Sequence, residues 1–205
     1  MNSNYYISSF CSIKNNTISL NGSMVYSNEN MEFLEFIKAA YKSLGTNYPK
    51  FFKMDGLSKL AILAAHVLFK NENINQDKDN DIAVVFSNKS SSIDTDRKHQ
   101  KSIENKDDYY PSPAIFVYTL PNICIGEISI KYKLFSENSF FIFENFSAQH
   151  LLDYANSLLS AGKTEKVLCG WVELDGNQYE AYLYLVTKIG TILHSKENII
   201  KFYNT

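Results

Sequence analysis

The sequence predicts an α/β domain built on a mainly parallel, mixed sheet whose last strand is antiparallel, with helices on both faces. Three observations carry this. The runs Ile82–Phe86 and Ser139–Phe143 are apolar without polar alternation, as in strands covered on both faces. Helical stripes fall between strand patterns, the arrangement that parallel strands need for their crossovers. Asp175-Gly176 lies between two strand-like runs, Lys166–Leu174 and Gln178–Val186, which marks a tight hairpin that reverses the last strand.

Taken in order, Asn4–Ile13 sets Tyr5, Ile7, Phe10 and Ile13 in an extended pattern and reads as the first strand. Asn15-Asn16 and Asn21-Gly22 are turn signals around a short second piece. In Met31–Leu44, Phe33, Leu34, Ile37, Ala40 and Tyr41 share a helical face, and Gly45 stands where a helix-ending residue belongs. Met54–Phe69 carries the stripe Leu57, Leu60, Ala61, Ala64 and Leu68. Ile62, Leu63 and Val67 thicken it until little polar face remains, as in a helix buried between layers. His66 falls near Lys59 and Lys70 on that polar side and reads as a solvated or capping histidine rather than a catalytic one.

Asn71–Asp81 is polar and turn-like. After the strand Ile82–Phe86, the stretch Ser87–Pro113 is long and charged and contains Ser90-Ser91-Ser92. A mobile loop around a weak helix is expected there, in preference to a substrate-binding serine run. Ile123–Leu134 gives two readings. Alternation of Ile123, Ile125, Ile128, Ile130, Tyr132 and Leu134 suggests strand, whereas Pro121 at a helix N1 position suggests helix. Ser147 then opens a helix through Ser160, with the stripe Leu151, Leu152, Ala155, Leu158 and Leu159 and a stop at Gly162. One domain over 1–205 is expected, with its core at about 48–187. Residues 1–47 add a strand and an extra helix, and 188–205 form a tail without a clear pattern.

Of the 205 residues, 45% are hydrophobic and 14% aromatic, ample for a core. Lys plus Arg is 20 and Asp plus Glu is 22, with no basic stripe, which argues against a nucleic acid or anionic membrane partner. The longest apolar run, Leu60–Phe69, is interrupted by His66 and too short for a membrane span. The first residues lack the basic and apolar regions of a signal peptide. Three dispersed cysteines, Cys11, Cys124 and Cys169, read as free thiols in a reducing, cytoplasmic compartment. Cys124 and Cys169 look like small buried apolar residues. No glycine-rich phosphate loop and no His/Cys/Asp/Glu set with metal-ligand spacing occurs, so neither cofactor nor metal is expected.

The stretch SPAIFVYTLPNICIGEISIKYKLFSE (Ser112–Glu137) resembles the segment of β-ketoacyl synthases that precedes their nucleophile strand. Thr119–Asn122 followed by Gly126-Glu127-Ile128 is its most specific part. Tyr48–Phe69 resembles the family's buried first core helix, and Asn138–Leu174 its nucleophile strand, following helix and next strand. The resemblance runs over about Tyr48–Val186, only the N-terminal half of a full condensing enzyme. It implies a thiolase-like half with a five-stranded sheet, last strand antiparallel, and a helical Pro121–Lys133.

The family's condensation holds the acyl chain as a thioester on a cysteine at the start of the helix after that strand, where a thiol is most easily ionised. The matching stretch here is Phe143-Glu144-Asn145-Phe146-Ser147. Asn145, or Phe146 if the match slips by one, stands where the cysteine is expected, and an amide forms no thioester. The family's two histidine motifs are absent, and the surroundings of His194 match neither. Ser147 and His150 are weak substitutes: Ser147 reads as an N-cap outside any G-x-S-x-G, and His150 lies one turn into the helix. Members of the family work as dimers, joined partly through the strand before the nucleophile. The resemblance therefore implies a non-catalytic partner, homodimeric or paired with a full-length ketosynthase, and meeting an acyl carrier protein. Phe116, Tyr118, Leu120 and Asn122 would line a partner's acyl tunnel. The alternatives are an acyltransferase using Ser147 or a free cysteine, and a purely structural dimerising domain.

Overall fold

The computed structural model describes residues 4–105, 107 and 111–205. One sheet organises it. Its strands are β1 (Tyr6–Lys14), β2 (Thr17–Leu20), β3 (Ser23–Ser27), β4 (Ile82–Asn88), β5 (Asn138–Ile142), β6 (Lys166–Asp175), β7 (Gln178–Thr187) and β8 (Ile192–Leu193). They lie in the order β3-β2-β1-β7-β6-β4-β5, with β8 paired to β1. β4 is parallel to both β5 and β6, whereas β7 is antiparallel to β6 and to β1. In the central five strands, β1, β4, β5 and β6 therefore run one way and β7 runs against them.

That is the expected mixed sheet with its last strand reversed, enlarged from five strands to eight. The additions are the hairpin β2–β3 and the short β8. The reversed strand is not at the edge, as a closing hairpin alone suggests. β1 returns to pair along its far side, from Tyr6↔Thr187 to Lys14↔Glu180. The hairpin itself turns one residue later than the Asp-Gly signal: Asp175 still pairs with Gln178, and Gly176-Asn177 form the loop, Gly176 at φ +62°.

Period-two alternation sorts the core into two layers. Ile82, Val84 and Phe86 of β4 and Leu168, Val172 and Leu174 of β6 face one side. There they meet α1 (Phe33–Ser43), α2 (Gly56–Asn71) and α5 (Ile123–Tyr132). Ala83, Val85, Val167, Cys169, Tyr182 and Tyr184 face the other, under α6 (Ala148–Ser160) and α7 (Lys196–Tyr203). At Gly170 a Cβ would overlap Leu183 Cδ2 and come within 2.9 Å of the Tyr182 carbonyl, so only glycine lets β6 and its neighbours close up.

α2 is buried along nearly its whole length, as its thick stripe predicts. Its Asp55 cap accepts from the Ser58 amide at 2.9 Å. Two of its polar residues depart from expectation. Lys59 is buried and donates its ammonium to the Met54 carbonyl. His66 is not a solvated residue: its Nδ1 lies 3.0 Å from the Tyr132 hydroxyl, and burial, helped by the nearby charges of Lys131 and Lys70, pulls its pKa down to about 4.

The stretch expected as a mobile loop contains α3 (Ile93–Ile103), anchored by a buried Thr95 whose hydroxyl donates to Asp55 Oδ2 at 3.0 Å. The serine run is a fixed turn: Asn88 accepts from the Ser91 amide and donates to its carbonyl, at 3.0 and 2.8 Å. Residues 106 and 108–110 of that stretch lie outside the described residues. The short α4 (Pro113–Val117) follows, and the ambiguous Ile123–Leu134 resolves as helix α5. The tail is ordered as β8 and α7, and α7 lays Ile199, Phe202 and Tyr203 against the α6 side of the sheet.

Candidate functional site

The corner between β5 and α6 is built as the sequence suggests. The Phe143 amide donates to the Asn88 carbonyl at 2.9 Å, which ends the ladder, and the chain turns through Glu144 and Asn145. Ser147 caps α6: its Oγ accepts from the His150 amide at 3.4 Å. What Ser147 meets is therefore the backbone of His150. The His150 ring sits among aromatic faces, 4.3 Å from Phe141 and 4.8 Å from Phe143, ring centre to ring centre. Its Nε2 is buried without a hydrogen-bond partner among the described residues. These contacts supply neither a base for the Ser147 hydroxyl nor a third group to orient one.

Asn145 is exposed, and its neighbour Phe146 turns inward. Phe146 lies edge-on to Trp171 and Tyr182 and stacks on Tyr203 of α7. A cleft of about 290 Å3 opens beside the corner, its lining including Lys89, Asn145, Trp171, Tyr203 and the four carboxylates of Glu144, Glu173, Asp175 and Glu180. Three of these carboxylates already have donors, Asp175 from Arg97. Glu173 accepts from the Lys89 and Ser90 amides at 2.7 and 3.2 Å, and Glu180 accepts from Trp171 Nε1 and the Tyr203 hydroxyl at 2.9 and 2.7 Å. A polar, anionic cleft of this kind does not suit an aliphatic acyl chain.

All three thiols are buried away from the corner, Cys124 in α5, Cys169 in β6 and Cys11 in β1. Burial pushes Cys169 up to about 12 and raises Cys11 and Cys124 as well, so none is a thiolate near neutral pH. His194 is a core residue of the tail. Its Nδ1 is 2.9 Å from Asn156 Oδ1, its Nε2 is 3.5 Å from the Tyr184 hydroxyl, and burial lowers its pKa to about 4. Among the described residues no group of three or more His, Cys, Asp and Glu side chains is placed to hold a metal ion. No described helix is long and apolar enough to cross a membrane.

The four tunnel candidates divide. Phe116 and Leu120 are more than half exposed, and Asn122 is exposed at the start of α5. Tyr118 is half-buried, and its hydroxyl donates to Glu127 Oε1 at 2.9 Å. β5 pairs only with β4 among the described residues and leaves its other edge open, ending at a half-exposed Ile142. Sequence reasoning missed a charged group inside α5: Glu127 and Lys131 are both buried. The available signal was their i, i+4 spacing within an otherwise apolar helix.

Solved structures match over nearly the whole chain, among them the following three. The ishigamide ketosynthase/chain length factor superposes with a TM-score of 0.69 at 16% identity, over 90% of this chain and 62% of that one. The ketosynthase ApeO in complex with its chain length factor ApeC, from Xenorhabdus doucetiae, gives 0.62 at 15%, over 98% of this chain and 90% of the matched one. The type II polyketide assembly AntDE:AntF, an acyl-carrier protein in complex with its ketosynthase, gives 0.60 at 16%, over 91% and 63%. The chain thus spans less than two thirds of the matched chain in the first and third of these. No family model and no curated protein matches the sequence. The fold is the thiolase-like fold of the ketosynthases and chain length factors it matches.

Proposed function

We propose that this chain is a non-catalytic, ketosynthase-like partner subunit of a condensing enzyme, in a fatty-acid-like, polyketide or aryl-polyene type of biosynthesis. The observation that carries the reading is the pairing of an open β5 edge with a corner that offers no accessible thiol. An unpaired strand edge is a template for another chain, and natural proteins cover or charge such edges when they are not used. Here two large apolar side chains stand exposed near the edge, Phe135 at 76% and Ile142 at 49%. The neighbours ApeO and AntDE:AntF carry in their own descriptions a chain length factor or a carrier protein as partner. The anionic corner cleft favours a supporting role over a self-sufficient condensing site.

The test is direct. The purified chain is mixed with a full-length ketosynthase and an acyl carrier protein at micromolar concentration and followed by analytical ultracentrifugation. A complex with the ketosynthase is expected, and binding to neither component ends this reading. Acyl transfer through Ser147 or a free cysteine is the competing reading, and the capped serine and buried thiols weigh against it. A purely structural dimeriser would self-associate and ignore both added proteins.

A further inference from the structure

α4 spans only Pro113–Val117, too short to hold its shape alone, because the first helical turn is the costly one. Yet it and the residues after it present Phe116, Val117 and Leu120 to solvent at 58%, 48% and 54% exposure. Something outside the segment must fix its pose. Two ties do. Ser92 Oγ donates to the Thr119 carbonyl at 2.6 Å. Tyr118 donates its hydroxyl to Glu127, a carboxylate only 4% exposed inside α5.

Glu127 gathers three separate elements. Its Oε1 takes the Tyr118 bond, and its Oε2 lies 2.8 Å from Lys50 Nζ in the turn Pro49–Lys53. The Lys50 contact is an ion pair without an aligned N–H, so the Tyr118 hydroxyl is the carboxylate's hydrogen bond among the described side chains. Tyr48 and Lys131 complete the surroundings, the Lys131 ammonium 5.3 Å from the Tyr48 ring centre. Without the Tyr118 hydroxyl a buried carboxylate oxygen would lose its hydrogen bond, with only the Lys50 ammonium left beside the charge, so the hydroxyl is held firmly.

We propose that Tyr118 is a positioning residue: through Glu127 it latches the α4 arm in a preformed pose, so that Phe116, Val117 and Leu120 are offered to a partner already ordered. This deepens the partner reading above and rests on it. A preformed arm avoids the ordering cost that a loose one meets on docking. Tyr118 accordingly acts from beneath the surface and does not itself line a partner's tunnel.

The experiment is hydrogen exchange by mass spectrometry on the full chain, with Tyr118→Phe and Glu127→Gln beside the wild type. Tyr118→Phe is expected to speed exchange of amides 114–120 about tenfold, the factor matching a lost interaction of about 1.4 kcal/mol, with β6 and β7 unchanged. Glu127→Gln keeps an acceptor for Tyr118 and is expected to speed it less. Unchanged exchange at 114–120 in Tyr118→Phe, or faster exchange throughout the sheet, overturns the latch. The same ketosynthase then separates the two ideas. Wild type failing to bind it ends the partner reading and leaves the latch standing, whereas equal binding by wild type and Tyr118→Phe shows that the pose does not serve docking.

Discussion

Phe146 and Tyr203 stack with ring centres 4.1 Å apart and planes 22° from parallel, which ties the β5–α6 corner to the last turn of the tail helix. The contact also reaches the protein's single tryptophan, since Trp171 and Tyr203 share the Glu180 carboxylate. Tyr203→Ala is expected to cost about 2–3 kcal/mol in urea unfolding and to shift Trp171 fluorescence to the red. Tyr203→Phe keeps the stack and loses only the Glu180 bond, so about 1 kcal/mol is expected. Equal losses in the two variants would mean that the stack contributes nothing.

His194 should make the fold acid-sensitive. Its folded pKa of about 4 lies below the ordinary 6.5, so the unfolded chain takes up the proton first. The stability tied to neutral His194 is complete above pH 6.5 and disappears as pH falls through 4. The loss is on the order of 3 kcal/mol for His194, and His66 adds to it in the same direction. Urea midpoints at pH 7 and 4.5 measure the slope. His194→Gln should flatten it, and an unchanged slope refutes the assignment.

Lys131 carries a cost at neutral pH. Its ammonium lies between the rings of Tyr48 and Tyr132, and burial lowers its pKa to about 8. Because the unfolded lysine holds its proton up to 10.5, stability should rise as pH climbs from 8 towards 10.5. Lys131→Met is expected to stabilise the protein by about 1–2 kcal/mol at pH 7, with the gain shrinking towards pH 10. A destabilised variant would mean that the ring contacts outweigh desolvation.

Ser147→Ala should lower stability by about 1 kcal/mol through the lost cap and change nothing in reactivity. Intact-mass measurement after exposure to acyl thioesters decides this. An adduct on the wild type that vanishes in Ser147→Ala would restore the acyltransferase alternative.

The legible parts of this molecule are those governed by neighbours in sequence. Ser147 caps a helix where the pattern places it, and Gly45 and Gly162 end theirs with positive φ. Strand order is another matter. Nothing near Gln178–Val186 announces that Tyr6–Lys14 will pair with it, so β7 reads as an edge strand although it lies inside the sheet. The buried charges were hidden for a different reason. Lys59, Glu127 and Lys131 are polar letters, and only three-dimensional contacts reveal that each sits under a neighbouring element. Around the corner, the cap and the thiol-free turn were readable, but the carboxylate cleft draws Glu144, Glu173 and Glu180 from three segments and was not.

The pairing of Tyr6 with Thr187 has a consequence for biosynthesis. During translation, the first strand emerges with its partner still uncoded into chain. At roughly 5–20 residues per second, the ribosome leaves β1 waiting about ten seconds or longer for β7. The hairpin of β6 and β7 closes locally, but β1 cannot take its place in the sheet until β7 is free of the exit tunnel. Contacts this distant slow folding. Over that wait β1 is an unpaired strand with apolar side chains, the kind of segment that aggregates before it folds.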